Sequence, residues 1–197
     1  KPMFNQATMY KSISFVKCSN HSNIDYSYSS GAVLGGLICQ CDANIIMNNC
    51  YNEGNLTSTS SNAEVTTVAG GLIGAVRSDM TIYQSYNLGH IKAISSMPSS
   101  STYPELNSYA AGLVGSFSQG NKGIIKDSYN RGSITAGTKY SYAHGEETIN
   151  AAGLVNGYCD IIACYSNADI SVSTIYGTTS GTNRVTKNIF AISNGTL

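Results

Sequence analysis

The sequence has no tryptophan, only 3 prolines and 3 histidines, and few charges: 11 basic against 11 acidic side chains, 11% of its 197 residues. Soluble domains ordinarily carry about a quarter. So few Lys and Arg exclude the clustered cations that nucleic-acid binding by counterion release requires. A polybasic membrane-surface patch is excluded for the same reason. Intrinsic disorder pairs low hydrophobicity with high net charge, and a formal net charge of zero with 42% hydrophobic residues is the opposite combination. Long apolar runs are missing too. The longest, such as Gly35-Gly36-Leu37-Ile38-Cys39, are too short for membrane insertion. The start, Lys1-Pro2-Met3-Phe4, has no basic segment followed by an apolar one and reads as a mature or excised chain.

Metal-ligand spacing is also lacking. His21, His90 and His144 lie far apart, and Cys18, Cys39, Cys41, Cys50, Cys159 and Cys164 give only C-x-C and C-x4-C intervals. No metal and no other cofactor is expected. The six cysteines form an even set. Cys159–Cys164 is a candidate disulfide and Cys18–Cys50 another, and spacing does not fix the connectivity.

What replaces the charge is Ser, Thr, Asn, Gly and Tyr. The first four are poor helix-interior residues, which points to β structure. They are also ordered into repeats. One block reads Val68-Ala69-Gly70-Gly71-Leu72-Ile73-Gly74, with copies at Val33–Cys39, Tyr109–Gly115 and Asn150–Asn156. Its aligned glycines, Gly36, Gly71, Gly112 and Gly153, are 35, 41 and 41 residues apart. A second block follows each first: Ile46–Leu56, Ile82–Ile91, Ile125–Ile134 and a worn copy at Ile162–Ile170, each built around Tyr-Asn or Tyr-Ser. Partial copies lie at Phe15–Ile24 and Asn188–Ala191. Between the repeats, Thr57–Thr67, Lys92–Ser108, Thr135–Ile149 and Ser171–Lys187 read as loops of varying length.

Each repeat holds three strand-sized pieces, G-L-[IV]-G, I-x-x-[CS]-Y-N and G-x-[IL], none long enough for a helix. One repeat cannot bury its apolar face, whereas stacked repeats can, each strand pairing with its copy about 4.8 Å away. The expected fold is all-β: a right-handed parallel β-solenoid (β-helix) with three short strands per coil and about four full coils plus partial end coils. It forms a single domain over 1–197, with repeats at about 31–66, 67–108, 109–149 and 150–183 and partial repeats at 8–30 and 184–197.

Stacking aligns like residues into columns. Leu37, Leu72, Leu113 and Leu154 are expected inside. Tyr51, Tyr86, Tyr129 and Tyr165 form a second internal column, ending at Phe190. Asn20, Asn52, Asn87 and Asn130 form a hydrogen-bonded ladder. Cys18, Cys50 and Cys164 share a column with Ser85 and Ser128, where small buried side chains are expected.

The pattern [AG]-G-L-[IV]-G followed by I-x-x-[CS]-Y-N-x-G-x-[IL] resembles the GLUG-motif repeats over about residues 31–170. Such repeats occur in large secreted or surface-anchored bacterial proteins: adhesin-like proteins and non-catalytic regions of immunoglobulin A peptidases. The resemblance implies an extracellular, secreted or cell-surface bacterial solenoid and supplies no catalytic residues. The fourth copy departs from it, with Asn156 for the motif glycine and Ala168-Asp169 for Gly-x.

No motif marks an enzyme, and none is expected. Asp42, Asp79 and Asp160 lie between blocks and are expected at one corner as solvated turn residues. Glu146-Glu147 beside His144 reads as a soluble loop. The sequons at Asn20, Asn55 and Asn194 are of the kind expected by chance in such a composition. The leading function is a structural or adhesive extracellular module, a rigid surface rod or the subunit of a head-to-tail filament. Its expected partners are copies of itself, end to end, and host or matrix glycans or proteins. One alternative is a carbohydrate-binding or carbohydrate-cleaving β-helix that uses Tyr103, Tyr140, Tyr142 and Tyr176. The other is the stalk of a large secreted protease.

Overall fold

The computed structural model describes residues 12–29, 31–61, 65–97, 105–140, 145–176 and 183–192. Among them there is no helix, only strands, all paired in parallel. The strands form five sheets, and the chain visits the sheets in one recurring order.

An isoleucine-rich sheet holds Ser12–Val16, Asn44–Asn48, Met80–Tyr83, Gly123–Lys126 and Asp160–Ile162. A two-residue Tyr-Asn sheet follows: Ser19–Asn20, Tyr51–Asn52, Tyr86–Asn87, Tyr129–Asn130 and Tyr165–Ser166. Next comes a serine-threonine sheet: Ile24–Tyr28, Leu56–Ser60, Ile91–Met97, Ile134–Tyr140 and Ile170–Tyr176. An alanine-rich sheet then runs through Val33–Gly35, Val65–Gly70, Glu105–Ala111, Gly145–Ala152 and Asn183–Phe190. A short sheet of Ile38–Cys41, Ile73–Val76 and Val114–Phe117 closes the series, extended by a bridge from Val114 to Val155. This arrangement is consistent with a β-solenoid.

Five strands per repeat replace the expected three, and two breaks account for the difference. The piece read as I-x-x-[CS]-Y-N is split by a left-handed residue, Lys17, Asn49, Gln84, Asp127 or Ala163, with φ of 56, 54, 44, 50 and 52°. A positive φ turns the chain between the isoleucine and Tyr-Asn sheets and ends the strand. The segments read as variable loops are the second difference. Thr57–Thr67, Lys92–Ser108, Thr135–Ile149 and Ser171–Lys187 lie largely within the serine-threonine and alanine sheets, which have the longest strands of the molecule.

Those strands are rich in hydroxyls because the hydroxyls pair. Leu56–Ser60 alternates buried and half-buried residues throughout, as does Ile91–Met97. Inward Thr67 donates to Ser60 at 2.6 Å, Ser95 reaches the Asn107 carbonyl at 2.6 Å and Ser108 reaches the Ala93 carbonyl at 2.7 Å. A buried hydroxyl costs free energy only when it lacks a partner.

Two apolar clusters result. One joins the Leu column to the isoleucine and short sheets through Ile45, Met47, Met80, Ile82 and Val114. The other lies between the serine-threonine and alanine sheets, around Leu56, Ile91, Ile134 and small residues such as Ala69, Ala110 and Ala151. Each fully buried Leu or Ile contributes about 1.5–3 kcal/mol.

Candidate functional site

The motif residues meet where the Tyr-Asn strands cross the glycines of the first block. Asn20, Asn52 and Asn87 each donate through Nδ2 to Oδ1 of the next asparagine, all at 2.7 Å, and Asn130 donates to Ser166 Oγ at 3.5 Å. The same amides donate to the carbonyl two residues on, that of Ser22, Gly54, Gly89 or Gly132, at 2.8–2.9 Å. Asn52, Asn87 and Asn130 have no exposed surface.

Glycines on both sides make room for this ladder. A Cβ on Gly71 would overlap the Gly112 carbonyl oxygen and the Asn87 side chain, and one on Gly89 would overlap the Gly54 carbonyl. The glycine that precedes each motif leucine therefore serves close approach and not a positive φ.

Leu72, Leu113 and Leu154 are fully buried, while Leu37 is half-buried. Their backbones bond in line, with the Leu37 amide on Leu72 O at 3.0 Å, Leu72 on Leu113 O at 2.9 Å and Leu113 on Leu154 O at 2.8 Å. Ile192 continues the line, accepting from Leu154 at 2.8 Å.

The tyrosines also stack. Centroids of Tyr51–Tyr86, Tyr86–Tyr129 and Tyr129–Tyr165 are 4.9, 5.0 and 5.1 Å apart, within 6° of parallel. This column is not internal, as the sequence suggests, because its rings alternate with the buried Cys/Ser and Asn columns and so face outward. Tyr165 is 50% exposed. Phe190 is not its end; it pairs with Ala152 in the alanine sheet. His21 abuts Tyr51 edge-on at 5.4 Å and contacts Glu53 at 2.7 Å. Burial in the stack, then the neighbouring Tyr129 and Tyr51, pushes the Tyr86 phenol up. The faces of Tyr86 and Tyr129 are covered by their neighbours, which leaves those two rings only edges and hydroxyls for a ligand.

All six cysteines are free thiols. Neither Cys159–Cys164 nor Cys18–Cys50 is a bridge in this structure; these sulfurs pack into the apolar cluster. Cys50 is fully buried, and its Sγ lies 3.5 Å from the carbonyls of Phe15 and Asn48. Burial pushes the Cys50 and Cys164 thiols up, and Cys159 is pushed up to about 12 by burial and then by Asp160 and Cys164. A thiol held protonated is a poor nucleophile.

Asp42 and Asp79 are exposed in the turn between the short and isoleucine sheets, and Asp160 is exposed at the start of an isoleucine-sheet strand, each at a different register position. Asp42 faces Arg77 at 3.9 Å, Asp79 accepts from the Lys122 amide at 2.8 Å, and Asp160 pairs in register with Ile124. Glu147 overturns the loop reading: it lies in Gly145–Ala152 with 2% exposure. The alternation of Thr148, Ile149 and Asn150 into Ala151 was the signal for that strand. His144, Tyr103 and Tyr142 lie outside the described residues, as do the side chains of Tyr140 and Tyr176.

Two hydroxyl–imidazole pairs occur among the described residues that sequence reasoning missed, the first between the Tyr51 hydroxyl and His21 Nε2 at 3.4 Å. His90 Nδ1 is 2.6 Å from Ser133 Oγ, and burial, then Lys92, pushes the His90 pKa down. It is a rung of a column in which the Asn55 amide donates to Asn23 Oδ1 at 2.8 Å and the His90 amide to Asn55 Oδ1 at 2.9 Å. A pocket of about 410 Å³ lies between repeats elsewhere, lined by Asn121, Lys122, Ile124, half-exposed Tyr158, Cys159 and Asp160. Among the described residues no group of three or more His, Cys, Asp or Glu is placed to hold a metal ion.

Fold and columns together define an all-β protein of five parallel sheets whose motif residues serve mainly the contacts between repeats. No family model matches the chain, and neither a curated protein nor a solved structure matches it.

Proposed function

We propose that the chain is a structural or adhesive extracellular module of bacterial type. It is a right-handed β-solenoid of about four full coils with partial end coils, built from GLUG-like repeats. The observation that carries this reading is where the polar groups go. The Asn amides and the Ser and Thr hydroxyls are spent on bonds between repeats and between sheets. Among the described residues, these amides and hydroxyls do not converge on a cleft with a base and an orienting acid. Such a fold supplies length and stiffness, which suits a spacer or an adhesive rod.

Binding is the test: the protein should bind a panel of matrix proteins or glycans without turning any over. Hydrolysis or elimination of a polysaccharide, or binding to no member of the panel, would overturn the reading.

Two observations favour narrower forms of the proposal. Exposed apolar side chains gather on the terminal strands, with Ile13, Val16, Tyr26 and Tyr28 at one end and Ile162, Tyr165, Ile175 and Ile189 at the other. They support end-to-end self-association into a filament, since an unpaired strand edge is a template for a second copy. Electron microscopy of concentrated protein is the check, and single particles alone would remove the filament. The Tyr158 pocket, with its aromatic ring, cation, carboxylate and amide, supports carbohydrate binding over carbohydrate cleavage. Loss of glycan binding in Tyr158→Ala would place the ligand there.

A further inference from the structure

Glu147 is a carboxylate in a place built for apolar side chains. Its register neighbours in the alanine sheet are Leu106 and Val185. Across the seam, Thr138 Oγ1 donates to Glu147 Oε2. The second oxygen, Oε1, is buried without a partner. Thr174 pairs in register with Thr138, and its Oγ1 is likewise buried without a partner.

The charges around Glu147 are sparse. Lys187, in register with buried Ile149, pulls on the carboxylate from the last strand of the alanine sheet. Glu105 and Glu146 are exposed and alternate to the outer side of that sheet, and Arg184 pairs in register with Glu146. On the facing serine-threonine sheet, Lys139 and Lys92 alternate to the outer side, leaving hydroxyls toward the seam. Burial pushes the Glu147 pKa up, by more than the Thr138 hydrogen bond and then Lys187 pull it down.

We infer that Glu147 is a proton-operated latch on the last two long strands, Ile170–Tyr176 and Asn183–Phe190. Protonated, the carboxyl is neutral in the apolar seam, with Thr138 on one oxygen and no buried charge on the other, and the two strands stay docked. Ionised, it draws water to an oxygen that has no partner, and the strands open locally. The direction follows from proton linkage. A carboxyl held protonated by the fold binds more protons folded than open, above the ordinary carboxyl range, so closure weakens as pH rises through that window. The latch closes in acid and loosens toward neutral pH, opposite to the ordinary salt-bridged carboxylate. It does not depend on the adhesive reading.

Hydrogen–deuterium exchange of the full chain at pH 5 and pH 8, corrected for intrinsic rates, tests it. Peptides from 170–176 and 183–190 should lose about tenfold protection at pH 8, as expected for one unpartnered buried charge. Those from 80–87 should be unchanged. In Glu147→Gln the pH dependence should vanish. Should glutamine fit poorly, Glu147→Leu, the residue type at the register position of Leu106, serves as the second variant. Equal protection of wild type at both pH values, or the same pH dependence in both variants, overturns the latch.

Discussion

Asn87 has no exposed surface, and its side chain is saturated: Oδ1 accepts from Asn52, while Nδ2 donates to Asn130 Oδ1 and Gly89 O. Replacement by alanine removes three bonds, taking the acceptor from Asn52 Nδ2 on one side and the donor from Asn130 Oδ1 and the Gly89 carbonyl on the other. Each net bond is worth about 1 kcal/mol and each stranded group more, so Asn87→Ala should cost about 3 kcal/mol in urea unfolding. Asn20→Ala, at the half-exposed end of the ladder, should cost about 1 kcal/mol. Equal costs would mean that the ladder is not cooperative along its length. The left-handed corner offers the opposite prediction. Gln84 holds φ at 44°, a conformation that costs an L-residue roughly 1–2 kcal/mol. Glycine avoids that strain but loses more chain entropy on folding, about 0.5–1 kcal/mol. Gln84→Gly should therefore stabilise the protein by about 0.5–1 kcal/mol, read as a higher urea midpoint at unchanged m value.

Within one element, position in the stack sets the size of an effect. Leu113 is fully buried with a leucine on each side, whereas Leu37 is half-buried with a leucine on one side. Leu113→Ala should cost about 3–4 kcal/mol, and Leu37→Ala about 1 kcal/mol, in the same unfolding assay. These columns were legible in the sequence because a parallel in-register stack requires like residues at like offsets. The register Tyr51–Tyr86–Tyr129 and that of Asn52–Asn87–Asn130 need only the spacing of Tyr-Asn pairs. The number of strands was not legible. A corner made by Gln84 or Ala163 carries no glycine to mark it, so a left-handed break inside I-x-x-[CS]-Y-N passes for continuous strand. The serine-threonine and alanine strands were hidden for another reason. Their sequences diverge between repeats, because an inward hydroxyl needs only a partner on the facing sheet, as Ser95 finds at Asn107 O. Glu147 was misplaced with them, since a charged pair next to a histidine looks like surface until the strand around it is seen.

At the scale of the molecule, each repeat contacts its neighbours through one set of columns, so stability should be close to a sum of repeats and interfaces. Register then decides whether a repeat can be removed. Gly35 pairs with Gly70 and Ile38 with Ile73, an offset of 35 residues in both sheets. Deleting residues 37–71 joins Gly36 to Leu72 and removes one whole repeat. Asn20 then stands in register under Asn87, and Phe15 under Ile82, with every inward column continuous. Deleting residues 37–70, one residue fewer, leaves the later strands offset by one from the earlier ones. In a strand that shift exchanges the two faces and turns buried side chains outward. The longer deletion should give a β-type circular dichroism spectrum and a cooperative melt at a lower Tm, because one interface is lost. The shorter one should give no cooperative melt, although it removes less of the chain. If both variants melted alike, the columns would be a consequence of the fold and not what specifies it. Among the described residues the terminal strands pair on one side only, so the surviving variant should also lose protection first at its ends.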